Sequence, residues 1–530
     1  MKKASTQIER DHHRIGLVYV LGALPCFEDF GNLPTDLVCS DALVDGKSAS
    51  EVLDMIIIPG GSLVESQSVN KKVSREILKM AEGGKFVLGI CSGFQILAEE
   101  TDVGRLSNVP IIRKGLGLLG AEFKPLICTD RVTATVTGKS FMTRDVGKEV
   151  SGFHCHTYGK IVLHKGAQTI LVTHAKHINY QKDPQELVSG VANKEGNVVG
   201  VFVHGLLDQN PTIIQSITKS LGINVVELEA IRKANAKLLE RMKSEVGIST
   251  NIQQQLATKE KQTRLLLITA ADSGSGKTFL VAGIAGALKK RGYRVGVLKV
   301  GGDIRDAVPA LYLIKEPIKE YSSIRVGESG WKSVAEAVSA ASRDYDFLLV
   351  EGAMGAFTGL LMGNVRRPSS TAEIAAALGA STVVVVGCDK EGVEGGLINA
   401  LNHISLLKNL GVKANGVILN KALLSYLTDD IKQTMKRAFG NVGVELLGVV
   451  PRMDVEGRGM IPEIEIKYEE FGAQALQAAE QNINIDALTR IAGAPKLEQI
   501  DYEAFAEKFK KLLTNYTLNA YEGGKAQDCF

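Results

Sequence analysis

Nowhere in these 530 residues does an apolar run approach the roughly 18 residues that a membrane-spanning helix requires. The longest, around Val383–Gly387, has the length of a buried strand. Charge of one sign is also scarce. There are 62 Lys and Arg against 59 Asp and Glu, and the resulting net charge of +3 is too small to argue for nucleic acid or an anionic bilayer as partner. Cysteines number only seven and lie scattered, with no close pair at metal-ligand spacing. A disulfide scaffold is therefore not expected, and a reducing, cytoplasmic compartment fits best. Cys26, Cys39, Cys128, Cys155, Cys388 and Cys529 read as small core or surface thiols. Met1–Arg14 is polar and charged, without the apolar stretch of a secretory signal. No internal repeat is visible.

What the chain has in abundance is glycine, at 55 residues, together with short β-rich runs that alternate with helical patterns. Many tight strand-to-helix turns favour an α/β fold over a helical bundle. In the first half, Ile15–Val20, Met55–Ile58, Phe86–Ile90 and Val198–Val203 read as strands, and Val73–Ala81, Phe94–Glu100 and Val225–Glu245 as helices. Ser249–Gln262 is polar, rich in Gln and Lys, and without apolar periodicity, so it reads as a linker. The pattern restarts at Leu265–Thr269. Further strands are expected at Val295–Val300, Phe347–Val350, Thr382–Val386, Gly416–Leu419 and Leu446–Val449. These predict a largely parallel sheet with helices on both faces, whose ligands bind at the carboxyl ends of its strands. The expected division is 12–225, a helix and linker over 226–262, a second domain over 263–495, and a C-terminal helix and tail over 496–530.

Leu265–Thr278 reads LLLITAADSGSGKT, a strand followed by a loop of small residues and the start of a helix. Backbone N–H groups around Gly274, Ser275 and Gly276 can wrap phosphate oxygens. Lys277 can neutralise β/γ charge, and the Thr278 hydroxyl can ligate Mg²⁺. Ala271 stands where such loops usually have their first glycine. Asp303 and Glu351 follow predicted strands in LKVGGD and LLVEGAMG, where carboxylates beside a phosphate loop suit a hard cation.

In the first half, Lys85–Gln95 reads KFVLGICSGFQ. A strand ends, Cys91 follows, and a helix begins at once, with Gly89 and Gly93 relieving a tight turn. Such a thiol needs a base, and His204 in VFVHGLLD ends another predicted strand downstream. Backbone N–H groups of Gly60 or Gly61, in IIIPGG, with that of Ser92, are candidates for an oxyanion hole.

Over roughly 16–223 these motifs, with KGLGLLGAEF and GFHCH, resemble class I glutamine amidotransferase domains, which have a flavodoxin-like fold, and within them the subgroup of cobyric acid synthase. DSGSGKT, LKVGGD, VEGAMG, STAEIAAALGAS and GVILNK resemble the P-loop ATP-binding domain of cobyrinic acid a,c-diamide synthase, which is similar to dethiobiotin synthetase, over roughly 264–492. The resemblance implies a cytoplasmic ligase of cobalamin biosynthesis that uses glutamine, ATP and Mg²⁺ to amidate a tetrapyrrole carboxylate through an acyl phosphate. It implies Cys91 and His204 as catalytic pair, Lys277 on the phosphates, Thr278, Asp303 and Glu351 on Mg²⁺, and Asn420 near adenine. Two departures stand out. The relatives place the ATP domain first, whereas here the order is reversed. Ordinary class I domains carry His-x-Glu, whereas Gly205 and Leu206 follow His204, so a site lacking its orienting carboxylate is expected. Asp208 is one substitute and a surface-turn residue is the equal alternative. His154 and His156 are read as structural or pocket residues. Rival readings are a cobyric acid synthase, an amidotransferase for another carboxylate, and a nucleotide-switched regulatory ATPase with a vestigial amidotransferase domain. Homodimer formation is left open.

Overall fold

In a computed structural model of the chain, residues 12–19, 28–61, 69–245, 262–363, 366–423, 425, 427–453 and 466–522 are described. Most of the predicted linker and the end of the tail lie outside them. The chain divides into two compact units, one of residues 1–249 with 457–469 and the other of residues 250–456 with 470–530.

The first unit is built on a nine-stranded mixed sheet. Its strands are β1 (Ile15–Val18), β2 (Asp36–Val38), β3 (Met55–Ile58), β4 (Phe86–Ile90), β5 (Arg131–Val136), β6 (Glu149–Phe153), β7 (Ala167–Ile178), β8 (Gln181–Asn193) and β9 (Val198–Val201). They run in the order β6-β5-β7-β8-β9-β4-β3-β1-β2. The β9-β4-β3-β1-β2 half is parallel. Its strands are buried along nearly their whole length, as strands covered on both faces must be. The β6-β5-β7-β8-β9 half is antiparallel. Helix Lys71–Glu82 shows why the predicted helical period holds. Asn70 caps it, accepting from the N–H groups of Lys72 and Val73, and Val73, Ile77 and Met80 bury one stripe. The helix expected over 94–100 is Ser92–Leu97, because Glu100 already belongs to a strand of a separate four-stranded sheet. The chain from Arg131 to Asn193 contributes four strands to the large sheet, none of them announced by the sequence.

The second unit is a seven-stranded, wholly parallel sheet: β10 (Arg264–Ala270), β11 (Val295–Val300), β12 (Ser323–Ile324), β13 (Phe347–Glu351), β14 (Ser381–Gly387), β15 (Ala414–Ala422) and β16 (Glu445–Pro451), in the order β12-β11-β13-β10-β14-β15-β16. Every predicted strand of this half is present, each within two or three residues of its expected ends. The order reverses beside β10, so the crevice at the strand carboxyl ends opens where the glycine loop lies. The helix after β13, Thr371–Leu378, starts with a buried capping box in which Ser370 and Glu373 satisfy each other's backbone N–H. Among the described residues no helix is long and apolar enough to cross a membrane.

Candidate functional site

Strand β4 ends at Ile90, and the next residue, Cys91, has φ 51° and ψ −107°, a strained conformation for a residue with a side chain. Glycines two positions away on either side let neighbouring backbone pack close to the turn. A Cβ on Gly93 would overlap the Ile58 carbonyl oxygen, and one on Gly89 would press on the Gly93 carbonyl group. The elbow can therefore lie flat on β3, and the thiol is aimed off the end of the sheet. The Cys91 N–H donates to Val201 O at 2.8 Å, tying the elbow to β9.

Three residues beyond β9, His204 exchanges backbone hydrogen bonds with Phe153, at 2.9 and 3.1 Å, and its ring stacks on the Phe153 ring. The imidazole is fully buried and interacts with the Cys91 thiol on one side. On the other, its Nδ1 lies 3.3 Å from Glu28 Oε1, while Glu28 Oε2 accepts the Gly205 N–H at 3.0 Å. Burial opposes charge on the ring, but the contacts with Cys91 and Glu28 outweigh it and raise the His204 pKa from 6.5 to about 9. The expectation of a missing carboxylate is thus corrected: the acid comes from 176 positions earlier in the chain. Asp208 does not replace it. Asp208 accepts the N–H groups of Asp29, at 2.9 Å, and Gly31, at 2.6 Å, pinning the turn that follows Glu28. Gly60 sits directly on the pair, since a Cβ there would come within 2.8 Å of His204 Cε1 and 3.3 Å of Cys91 Cβ. Gly61 follows half-buried, and Ser92, the first residue of the helix, is buried beside the thiol. A cavity of about 380 Å³ opens alongside Ser92 and Gln95, with Thr101, Arg113 and Lys114 in its wall.

In the second unit the glycine loop joins β10 to helix Lys277–Lys290. Gly274 and Gly276 have φ of 83° and 85°, which few residues with a side chain adopt. Thr278 Oγ1 donates to Glu351 Oε1 at 2.8 Å, and the Lys277 ammonium donates to the Met354 carbonyl at 2.6 Å. The parallel register sets Lys299 of β11 directly opposite Glu351 of β13. Their side chains meet at 3.1 Å, and Asp306 closes on the same Lys299 at 2.6 Å. Burial raises the Glu351 pKa against the pull of Lys299. Burial likewise works against charge on Lys299, and Asp306 and Glu351 together reverse it. The Glu351 Oε2 atom is buried without a hydrogen-bond partner among the described residues. A buried carboxylate oxygen with spare lone pairs beside a threonine hydroxyl fits a hard divalent cation.

Two further expected site residues have partners of their own. Asp303 makes a two-point pair with Arg305, at 2.7 Å for each bond, and the acid that reaches the Glu351 cluster from this segment is Asp306. Asn420 is buried against the glycine loop, donating to Ser275 O at 2.8 Å, and a Cβ on Gly276 would overlap its amide nitrogen. It thereby supports the loop backbone. Glu28, Lys299 and Asp306 were not singled out from the sequence. Lys299 had a signal, being a lysine on an otherwise apolar, fully buried strand.

Fold and site thus set a buried thiol–imidazole–carboxylate group in the first unit and a P-loop beside a buried acidic cluster in the second. Comparison with known proteins narrows the class: residues 18–212 match the family of CobB/CobQ-like glutamine amidotransferase domains, and residues 264–457 match an AAA domain family. The chain is 28% identical over 239 residues to the cobyrinate a,c-diamide synthase of Streptococcus sanguinis, a match covering 43% of this chain and 50% of that one. It is 28% identical over 236 residues to the hydrogenobyrinate a,c-diamide synthase of Mycobacterium tuberculosis, with the same coverage. To the cobyric acid synthase of Caldanaerobacter subterraneus it is 27% identical over 189 residues, covering 33% and 35%. The chain spans about half the length of the diamide synthases it matches, and less of the cobyric acid synthase.

Proposed function

We propose that this chain is a glutamine-hydrolysing, ATP-dependent amide synthetase that converts a tetrapyrrole carboxylate to a carboxamide, as the names of its relatives indicate for them. We assign ammonia release to residues 12–225 and carboxylate activation to residues 263–495. The observation that carries this reading is the alignment of Cys91, His204 and Glu28 in a chain that also carries a phosphate loop with Lys277 and Thr278 in place.

The Cys91 thiolate attacks the side-chain carbonyl of glutamine. The oxyanion is held by the N–H groups of Ser92 and of Gly60 or Gly61. His204 carries a proton to the departing nitrogen, so ammonia leaves and a glutamyl thioester remains. Water, deprotonated by the same imidazole, then releases glutamate. Glu28 holds the imidazole through Nδ1–H, so that Nε2 faces the thiol and passes the proton between sulfur and the leaving nitrogen. Arg113 and Lys114 supply positive charge for the α-carboxylate of glutamine. In the second unit the loop N–H groups and Lys277 hold the triphosphate. A carboxylate oxygen takes the γ-phosphoryl group, and ADP leaves. Ammonia then attacks the acyl phosphate, expelling phosphate. Mg²⁺ would be held by Thr278, Asp303 and Glu351, and when bound it would neutralise charge on the β- and γ-phosphates. Lys299 lies where it can stabilise the phosphoryl group in transit. Arg325, Arg366 and Arg367 line a cavity of about 760 Å³ that suits a substrate with several carboxylates.

The test is the product mass after incubation with glutamine, MgATP and cobyrinic acid, run beside cobyrinic acid a,c-diamide as substrate. A loss of about one mass unit per carboxylate converted, requiring both glutamine and ATP, is the expected result. Turnover of the diamide alone would move the assignment to the cobyric acid synthase reaction. No mass change with either would refute the substrate class.

A further inference from the structure

Cys128, His154 and His156 form a second cluster of reactive side chains that the proposed reaction does not use. Their meeting follows from strand pairing. Beyond β6, the chain runs antiparallel to 128–130: Cys128 and His156 exchange both backbone hydrogen bonds at 3.1 Å, and the His154 N–H donates to Asp130 O at 2.7 Å. Directly opposed residues, and those two positions away, share a face of an antiparallel pair. All three side chains therefore converge. One ligand atom of each lies within 4.8 Å of those of the other two, and all three residues are buried.

The cluster is held in place from outside. The His156 ring is seated on Gly159, where any Cβ would overlap it, and its Nδ1 lies 3.3 Å from the Leu126 carbonyl oxygen. That contact places the proton on Nδ1 and the lone pair on Nε2. The Nε2 of His154 is 3.5 Å from Thr173 Oγ1, which in turn bonds Ser189 Oγ at 2.6 Å. His154 Nδ1, buried with its ring, has no hydrogen-bond partner among the described residues. Buried ring nitrogens are rarely left so, and the absence of a partner marks a lone pair directed at something else.

From this arrangement we propose that Cys128, His154 and His156 bind one divalent cation of the zinc class. A thiolate and two imidazoles are the donor set that borderline-soft cations select over Mg²⁺ or Ca²⁺, and a fourth position remains for water or another donor. Binding requires the Cys128 thiol to release its proton to solvent as the sulfur–metal bond forms. The site is independent of the proposed reaction, yet adjacent to it. Cys155, between the two histidines, offers its carbonyl oxygen to the Cys91 thiol at 3.6 Å. An ion that pins residues 154 and 156 therefore also fixes a wall of the Cys91 site.

The experiment uses the full chain, freed of metal with a chelator and then titrated with Zn²⁺ or Co²⁺. We expect about one Zn²⁺ per chain to survive desalting against a weak chelator, as a site with three protein ligands should allow. We expect Co²⁺ to give the near-ultraviolet charge-transfer band of a thiolate–cobalt bond. Cys91→Ser should keep that band and Cys128→Ser should lose it. His154→Gln should weaken Zn²⁺ by at least the roughly 10–100-fold that outer-shell changes alone produce. Absence of the band in the unaltered protein overturns the proposal whether or not the variants fold. So does a band lost in Cys91→Ser and kept in Cys128→Ser, which would place the ion on the nucleophile. Zn²⁺ retention abolished by His164→Ala would also overturn it, assigning the ion to the exposed Glu99, Glu122 and His164 group.

Discussion

Replacing Glu28 with glutamine removes one charge and almost no volume. The amide oxygen of the new side chain can still accept the Gly205 N–H, which Glu28 Oε2 takes at 3.0 Å. The end facing His204 Nδ1 then becomes a donor, at a position where the acid now sits 3.3 Å away and both side chains are fully buried. Two donors cannot face each other, so the imidazole must move its proton to Nε2, the nitrogen needed to take a proton from the Cys91 thiol. Loss of tautomer control costs a comparable thiol- or hydroxyl-based site up to about 10⁴ in rate, while packing around the ring limits the disorder that follows. We expect Glu28→Gln to lower the turnover rate for glutamine by about 10²–10⁴, or about 3–5 kcal/mol at 1.36 kcal/mol per decade. The readout is glutamate release under saturating glutamine, beside ATP-dependent synthesis supplied with ammonium. Only the first should fall. A variant that hydrolyses glutamine at the unaltered rate would refute the role of Glu28. Equal loss of both activities would show that the change acts through folding.

The remaining expectations follow from the same contacts. Cys91→Ala should abolish glutamine-driven amidation and leave ammonium-driven amidation intact, measured as carboxamide formed from each nitrogen source. Lys277→Ala should reduce amide synthesis by roughly two orders of magnitude, the scale of one preorganised electrostatic contact, and product formation with ammonium as nitrogen donor isolates that loss. His204 is held charged, its pKa raised from 6.5 to about 9 despite burial, so its pairing stabilises the fold fully below about pH 6.5. That contribution should fade as the pH rises through 9. Thermal unfolding followed from pH 6 to 10 should show the decline in the unaltered protein and a flatter profile in Glu28→Gln.

What the sequence revealed of this molecule is what is local. The Cys91 elbow was legible because strand, thiol, small residues and helix are contiguous, and each glycine there answers a backbone overlap. The glycine loop and the parallel strands of the second unit were legible for the same reason, since wholly buried strands read as unbroken apolar runs. The antiparallel hairpin β7–β8 was not. Its tip, Gln181–Glu186, is exposed on both faces and shows no alternation, and its turn is made by Asn179 and Tyr180 at positive φ without a glycine. Glu28 was invisible because it lies in an irregular segment and meets His204 only through the fold. Asp303 stood out because it ends the LKVGGD motif, whereas Asp306, which the 3-10 turn at Ile304–Ala307 brings to Lys299, has no motif to announce it. The convergence of Cys128 with His154 and His156 likewise depends on pairing between segments nearly thirty residues apart.

Whether one chain couples its two chemistries is tested most directly by following nitrogen. The full chain is given MgATP, cobyrinic acid and glutamine carrying heavy nitrogen in its side-chain amide, and the product is weighed against the ADP formed. We expect carboxamides carrying the heavy label, with about one ADP for each amide made, as an acyl-phosphate route requires. Glutamate and ADP released in quantity with no labelled amide would contradict the account, and would leave two hydrolytic sites that do not share a reaction.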